Sequence, residues 1–246
     1  MLLLGDIGNT EIKICIFSSK KKLIKKVILK TNLISLNYLN IKLNFLKTKN
    51  YKIKKILFSS VVPNAFKIIK KYLFKQLTTK CIELKKLNLS KLIKIKVDKK
   101  QVGSDRIANA IAVINHKSNF IIIDFGTATT FDVVINNQYL GGIIAPGVSL
   151  SLKTLTKKAS LIPDIKLAKT SNVIGTNTIS AVRSGFFWGY SGLIDNIVKL
   201  IKKQTNRSFK IVLTGGLSHL FKTSINGNIT IKKDLTISGL LKTIKT

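Results

Sequence analysis

Residues 119–135 read NFIIIDFGTATTFDVVI, and they repeat the design of residues 2–17, LLLGDIGNTEIKICIF. Each stretch opens with an apolar run short enough to be a buried strand and ends it on Asp-x-Gly, Asp6 with Gly8 in one and Asp124 with Gly126 in the other. Each then turns through small hydroxyl or amide residues and resumes as a second strand, so both read as β-hairpins. Two copies of so unusual a unit, one at the start and one near the middle of 246 residues, predict two similar lobes. The boundary is expected near His116–Asn119, with one lobe over residues 1–117 and the other over 118–246. No Pro/Gly/Ser-rich linker separates them, so closely packed lobes are expected.

Working outward, residues 53–74, IKKILFSSVVPNAFKIIKKYLF, predict a strand at Ile56–Ser59 and a turn at Pro63-Asn64. A helix should follow, with Phe66, Ile69, Tyr72 and Leu73 on one side. Residues 104–116, SDRIANAIAVINH, bring Ile107, Ala110, Ile111 and Ile114 to one helical face behind Ser104 as the cap. After the second hairpin come GGIIAPGVSLSL (141–152), a helical section from about Ser180 to Lys203, the strand FKIVLT (209–214) and the turn GGLS (215–218). Helices following strands in both halves predict an α/β protein in which each lobe is a mixed sheet flanked by helices.

The composition is that of a folded chain, 45% hydrophobic. No run approaches the ~20 apolar residues of a membrane span. The opening MLLLGDIGNT reaches Asp6 after only a few apolar residues, so neither a signal peptide nor a membrane anchor is expected. Cys15 and Cys81 form no C-x-x-C pair, and His116 and His219 have no companions at ligand spacing, which predicts a reducing, cytoplasmic setting without structural zinc. The formal net charge of +33 would attract nucleic acid or anionic membrane non-specifically. It comes almost wholly from lysine spread along the chain with Ile and Asn, the arginines being Arg106, Arg183 and Arg207, which is the signature of an AT-rich genome rather than of a binding block. Clusters such as Lys20–Lys22 suit a solvated turn or a protected strand edge.

Phosphoryl transfer asks a protein for backbone N–H groups around phosphates, a carboxylate for Mg²⁺ and a group that orients the attacking hydroxyl. In D-I-G-N-T, Gly8, Asn9 and Thr10 can aim amides at an anion, Asp6 at a strand end can hold a metal's water shell, and Lys13 adds a point charge. The second turn, D-F-G-T-A-T-T, offers Gly126, Thr127 and Thr129, again beside a strand-end aspartate. In LTGGLS, Gly215 and Gly216 follow a strand directly, where a missing side chain lets backbone lie against an adenosine. Taken singly, each of these is an ordinary hairpin or turn. In this order they resemble the phosphate 1, phosphate 2 and adenosine signature of the actin, Hsp70 and sugar-kinase superfamily, whose two lobes are ribonuclease H-like. The two turns are then expected to grip one polyphosphate.

Seven blocks, DIGNTEIK (6–13), SSVVP (59–63), GSDRIANAIA (103–112), DFGTATTFDVV (124–134), GGIIAPGVSLSL, IGTNTISAVRSGFFWGY (174–190) and VLTGGL (212–217), together resemble the type III pantothenate kinases. The resemblance runs in order over nearly the whole chain. It implies ATP-dependent phosphorylation of pantothenate, the first step of coenzyme A biosynthesis. By it, Asp6, Ile7, Gly8, Asn9, Thr10, Glu11, Ile12 and Lys13 hold the ATP phosphates and, through water, Mg²⁺. Thr127, Gly215 and Gly216 also contact ATP. Gly103, Ser104, Asp105 and Arg106 line the pantothenate site, with Asp105 accepting the proton of the primary hydroxyl. Asp124 ligates a monovalent cation, K⁺ or NH₄⁺, and Thr178 reaches the substrate from the partner subunit, which implies a homodimer with its site at the interface. Apart from the resemblance, the planar fork of Arg106 suits the carboxylate end of that substrate.

One departure stands out: the family usually carries a tyrosine and a proline shortly before G-x-D-R, whereas residues 94–106 read KIKVDKKQVGSDR. Two other readings compete. A nucleic-acid-associated regulator would use the positive charge, but the sequence holds no helix-turn-helix spacing, zinc finger or aromatic-basic ribbon, so no specific nucleic-acid partner is expected. A related kinase would act on another small hydroxyl compound.

Overall fold

The computed structural model describes residues 1–48, 51–115 and 117–244; His116, at the expected boundary, lies outside the described residues. The chain forms two compact units, numbered here with strands and helices in chain order. The first comprises Met1–Ile114, Asn137–Tyr139 and Leu235–Thr246, and the second Asn115–Asn136 and Leu140–Asp234.

In the first unit, β1 (Leu2–Ile7), β2 (Glu11–Phe17), β3 (Leu23–Lys30), β4 (Lys55–Ser60) and β5 (Cys81–Glu83) make one mixed sheet in the order β3-β2-β1-β4-β5. The β1–β2–β3 meander is antiparallel, and β4 and β5 add in parallel beyond β1. Leu3, Ile7, Ile12, Ile14 and Phe58 are buried in its core. The helices are α1 (Leu36–Lys42), α2 (Phe45–Thr48), α3 (Pro63–Leu77) and α4 (Ser104–Val113). Pro63 does not precede α3 as a turn: it is the first helical residue, where a missing N–H costs nothing and a fixed φ suits the helix. Ala65, Ile69, Tyr72 and Leu73 turn inward, with Phe66 only half-buried. The short strand β6 (Lys94–Ile95) pairs in parallel with Gln138 and Tyr139.

The second unit repeats the plan. Its strands are β7 (Phe120–Phe125), β8 (Ala128–Ile135), β9 (Gln138–Pro146), β10 (Lys210–Gly215) and β11 (Ile229–Ile231), in the order β9-β8-β7-β10-β11. This is the first sheet's order strand for strand, with β7–β8 antiparallel and β10 parallel to β7 and β11. The duplication extends to register: Asp6 lies opposite Lys13 of β2 and Ser59 of β4, and Asp124 opposite Thr130 of β8 and Thr214 of β10. The helices are α5 (Val148–Lys158), α6 (Thr178–Thr205) and α7 (Ser218–Phe221). Phe187, Ile194, Val198 and Ile201 of α6 pack into this unit's core with Ile121, Ile123 and Leu213.

The last helix, α8 (Leu235–Thr243), belongs to the first unit, although residues 118–246 read as a single lobe. It packs on α4, where Gly239 lies against the Ala108 carbonyl and the Thr236 hydroxyl donates to Asn109 Oδ1 at 2.9 Å. Its side chains Leu235, Ile237 and Leu240 are buried, so the chain end completes the first unit's core instead of extending the second.

Candidate functional site

At the end of β1, the turn Gly8-Asn9-Thr10 closes on itself when the Gly8 amide donates to the Glu11 carbonyl at 3.0 Å. The Gly8 amide is therefore committed inside the turn, and the donors left for an anion come from the residues after it. The turn is fastened from outside the hairpin by Thr31, a residue that no local pattern singles out. Its hydroxyl donates to the Gly8 carbonyl at 2.8 Å and its amide to the Thr10 carbonyl at 3.1 Å. With those carbonyls held, Asn9, Thr10 and Glu11 stay exposed while Ile7 and Ile12 anchor the hairpin in the core. Asp6 and Lys13 are half-buried in register across the same strands.

The same unit carries the G-S-D-R residues at the head of α4. Ser104 is not the cap: Gly103 occupies that position with extended backbone, and Ser104, the first helical residue, is buried and donates its hydroxyl to Glu83 Oε1. Gly103 is required here by the side chain two positions on, since a Cβ at Gly103 would sit 2.4 Å from Asp105 Oδ1. The Asp105 carboxylate fills that space and accepts the Arg106 amide at 2.8 Å. Burial pushes the Asp105 carboxyl above its ordinary range, while the Arg106 amide and guanidinium oppose the shift without cancelling it. A half-buried carboxylate of raised pKa at a helix N-terminus suits a group that orients a hydroxyl and takes its proton.

In the second unit the turn after β7 is tighter by one residue, the Gly126 amide donating to the Ala128 carbonyl at 3.1 Å, with Gly126 and Thr127 exposed. Thr129, by contrast, is fully buried, which turns its side chain away from any ligand of that turn. Two glycines from elsewhere press on this turn. Gly147 leads into α5 so tightly that a Cβ would stand 2.0 Å from the Thr127 carbonyl. Gly215 takes φ +85° at the end of β10, and a Cβ there would meet Phe125 O at 2.5 Å and Asp124 Oδ1 at 2.6 Å. The Gly215-Gly216 turn thus abuts the end of β7, and beside it opens a hollow of about 480 Å³ lined in part by Leu152, Ile165, Leu217 and Leu220. Gly147 escaped the sequence reading because its function is to be close to a distant turn.

Thr178 is the first residue of α6, exposed, directly after the cap Asn177, whose side chain accepts from the Ser180 amide and whose own amide donates to the Ser180 hydroxyl oxygen. On the outside of α6, Ile179, Trp188 and Leu200 are exposed, and Phe186, Gly189 and Tyr190 line a shallow apolar groove with Leu155.

A family model for type III pantothenate kinase matches residues 2–200. The chain belongs to that family. The type III pantothenate kinase of Pelagibacter ubique (strain HTCC1062) is 63% identical over 242 residues, 98% of each chain. That of Roseobacter denitrificans is 37% identical over 188 residues, covering 75% of this chain and 73% of its own. Among solved structures, a Baf family protein of Campylobacter jejuni superposes with a TM-score of 0.64 at 23% identity, covering 99% of this chain and 98% of its own. An inorganic polyphosphate/ATP-glucomannokinase from Arthrobacter superposes with a TM-score of 0.52 at 13% identity, covering 100% and 99%. These likenesses show the expected α/β architecture of two mixed, helix-flanked sheets.

Among the described residues, no three His, Cys, Asp or Glu side chains cluster to hold a metal. Mg²⁺ in a kinase needs no such cage, because substrate phosphates and water supply most of its oxygens, so a single strand-end carboxylate such as Asp6 fits it. Asp124 has the hydroxyl-bearing Thr130 and Thr214 as its cross-strand neighbours, residue types that offer the oxygen ligands a hard monovalent cation takes. Both cysteines are buried, and burial pushes the Cys81 thiol up to about 12, outweighing Lys70, which leaves it an inert core residue. No helix among the described residues is long and apolar enough to cross a membrane.

Proposed function

We propose that this chain transfers the γ-phosphoryl group of ATP to the primary hydroxyl of pantothenate, giving 4′-phosphopantothenate and ADP on the way to coenzyme A. The observation that carries it is the chain-long match to one kinase family, 98% coverage at 63% identity, in a molecule whose Asp105 carboxyl lies in the first turn of α4 with its pKa raised by burial.

Asp105 accepts the hydrogen bond of the acceptor hydroxyl and takes its proton as the oxygen–phosphorus bond forms and the bond to the departing ADP oxygen breaks. Arg106 pairs with the pantothenate carboxylate, and Gly103 and Ser104 shape that end of the site. The turn from Asp6 to Lys13 and Thr127 bind the ATP phosphates, and Gly215 and Gly216 receive the adenosine. When bound, Mg²⁺ held through water by Asp6 offsets the phosphate charge, and Asp124 ligates K⁺ or NH₄⁺. Two copies form a homodimer in the cytoplasm, each giving Thr178 to the other's pantothenate; the exposed Thr178 and the apolar outer face of α6 support this.

ADP release tests the proposal. It should require pantothenate, Mg²⁺ and a monovalent cation, with glucose or acetate failing as acceptors, and Asp105→Asn should lose about 10²- to 10⁴-fold in kcat. Full turnover in that variant, or ADP release with glucose and none with pantothenate, would defeat it.

A further inference from the structure

The stretch that leads into the G-S-D-R residues contains three polar anchors, Glu83, Lys85 and Lys99, that the reaction does not itself call for. Glu83, at the end of β5, accepts from two directions: its Oε1 takes the Ser104 hydroxyl and its Oε2 takes the Lys85 amide at 2.8 Å. The half-buried Lys85 then turns its ammonium onto the loop before α4, donating to the Lys100 and Val102 carbonyls at 3.0 Å each. Lys99 makes the reverse connection, its ammonium donating to the Leu87 carbonyl at 3.1 Å. Residues 83–87 and 99–104 are thereby laced together by charge-assisted bonds that end one residue before Gly103 and one before Asp105.

Most lysines of this chain are solvated, so an ammonium fixed on two backbone carbonyls is unlike its neighbours on the surface. Both carbonyls belong to the segment whose path sets the Gly103 backbone, and the Gly103 backbone sets the space that the Asp105 carboxylate fills. Ser104 fixes the same helix end from the other side through Glu83. A base misplaced by about 1 Å loses on the order of 10²-fold in rate, so a device that fixes this loop acts on catalysis even though it touches no substrate.

We propose that Glu83 and Lys85 are positioning residues for the phosphoryl transfer, a clamp that holds the loop before α4 so that Asp105 and Gly103 meet the acceptor correctly. The inference rests on the pantothenate kinase reading. Steady-state kinetics on the full-length protein, with ATP and pantothenate varied separately, test it. Lys85→Met keeps the aliphatic stem and removes both ammonium bonds; it should lower kcat/KM for pantothenate about tenfold while KM for ATP and the melting temperature stay at wild-type values. Lys85→Arg, which keeps the donors and the charge, should recover most of the loss. Glu83→Gln, which weakens both bonds made by the carboxylate, should move kcat/KM for pantothenate the same way. Wild-type kcat/KM in Lys85→Met overturns the clamp, as does a rise in KM for ATP or a loss that tracks a fall in melting temperature. A wild-type protein that releases no pantothenate-dependent ADP overturns the kinase reading and the clamp with it.

Discussion

Gly103→Ala separates catalysis from stability at the residue where the structure ties them most closely. The new Cβ would stand 2.4 Å from Asp105 Oδ1, whereas ordinary contact begins near 3.4 Å, so the carboxylate oxygen must withdraw by about 1 Å. That movement gives up the 2.8 Å bond from the Arg106 amide and carries the base off its acceptor. The fold loses little, because the atom displaced is the end of a side chain and the Gly103 backbone, φ −57° and ψ 142°, suits alanine. Removing a glycine from the unfolded chain even favours folding, by about 0.4–1 kcal/mol. Coupled ADP release at saturating pantothenate should therefore fall about 10²-fold, ~2.7 kcal/mol of barrier, with a melting temperature equal to or above wild type. A Gly103→Ala protein with wild-type kcat would refute the placement of Asp105 as the hydroxyl-orienting group; an unfolded one would refute the claim that the crowding falls only on a side-chain tip.

Asp105 also links activity to pH and stability. Its folded pKa is raised, so its contribution to stability is full below the unfolded carboxylate range, ~4, and is lost as pH rises through the folded pKa. Asp105→Asn should consequently melt higher than wild type near pH 7, with the difference closing toward pH 4, as scanning calorimetry across pH would record. Wild-type kcat should fall on the acid side at a pH above that of an ordinary aspartate. Thr31→Val removes the hydroxyl that holds the Gly8 carbonyl; a loss of about 1 kcal/mol should appear as a roughly fivefold rise in KM for ATP with KM for pantothenate unmoved. Co-expressed Asp105→Asn and Thr178→Arg chains should regain activity that neither has alone, because a mixed dimer holds one site free of both lesions. Absence of that recovery, in a preparation shown to contain mixed dimers, argues against sharing of the site.

The sequence made the duplicated architecture legible because Asp-x-Gly after an apolar run is a local signal, carried twice by residues adjacent in the chain. The long α6 was legible for a similar reason, its inward face recurring at helical spacing. What escaped depends on residues far apart in sequence. Ser104 reads as a cap because a hydroxyl before a helical pattern normally serves that purpose, and only the arrival of Glu83 from β5 draws its side chain elsewhere. Thr31 and Gly147 are ordinary residue types whose meaning lies in the distant turns they touch, Gly8–Thr10 and Thr127. The closing helix reads with the second lobe yet groups with the first unit, because its apolar face records that it is buried and not against what. The lysines carry a mixed message: a composition-wide excess hides those, Lys85, Lys99 and Lys242 among them, whose ammonium groups fasten backbone.

The most direct test of the account is the product itself. Incubated with ATP, Mg²⁺, K⁺ and pantothenate, the wild-type protein should yield ADP and a monophosphorylated pantothenate in equal amounts, with mass spectrometry placing the new phosphate on the primary hydroxyl. ADP formed without a phosphorylated pantothenate, or phosphate found on the secondary hydroxyl, would contradict it.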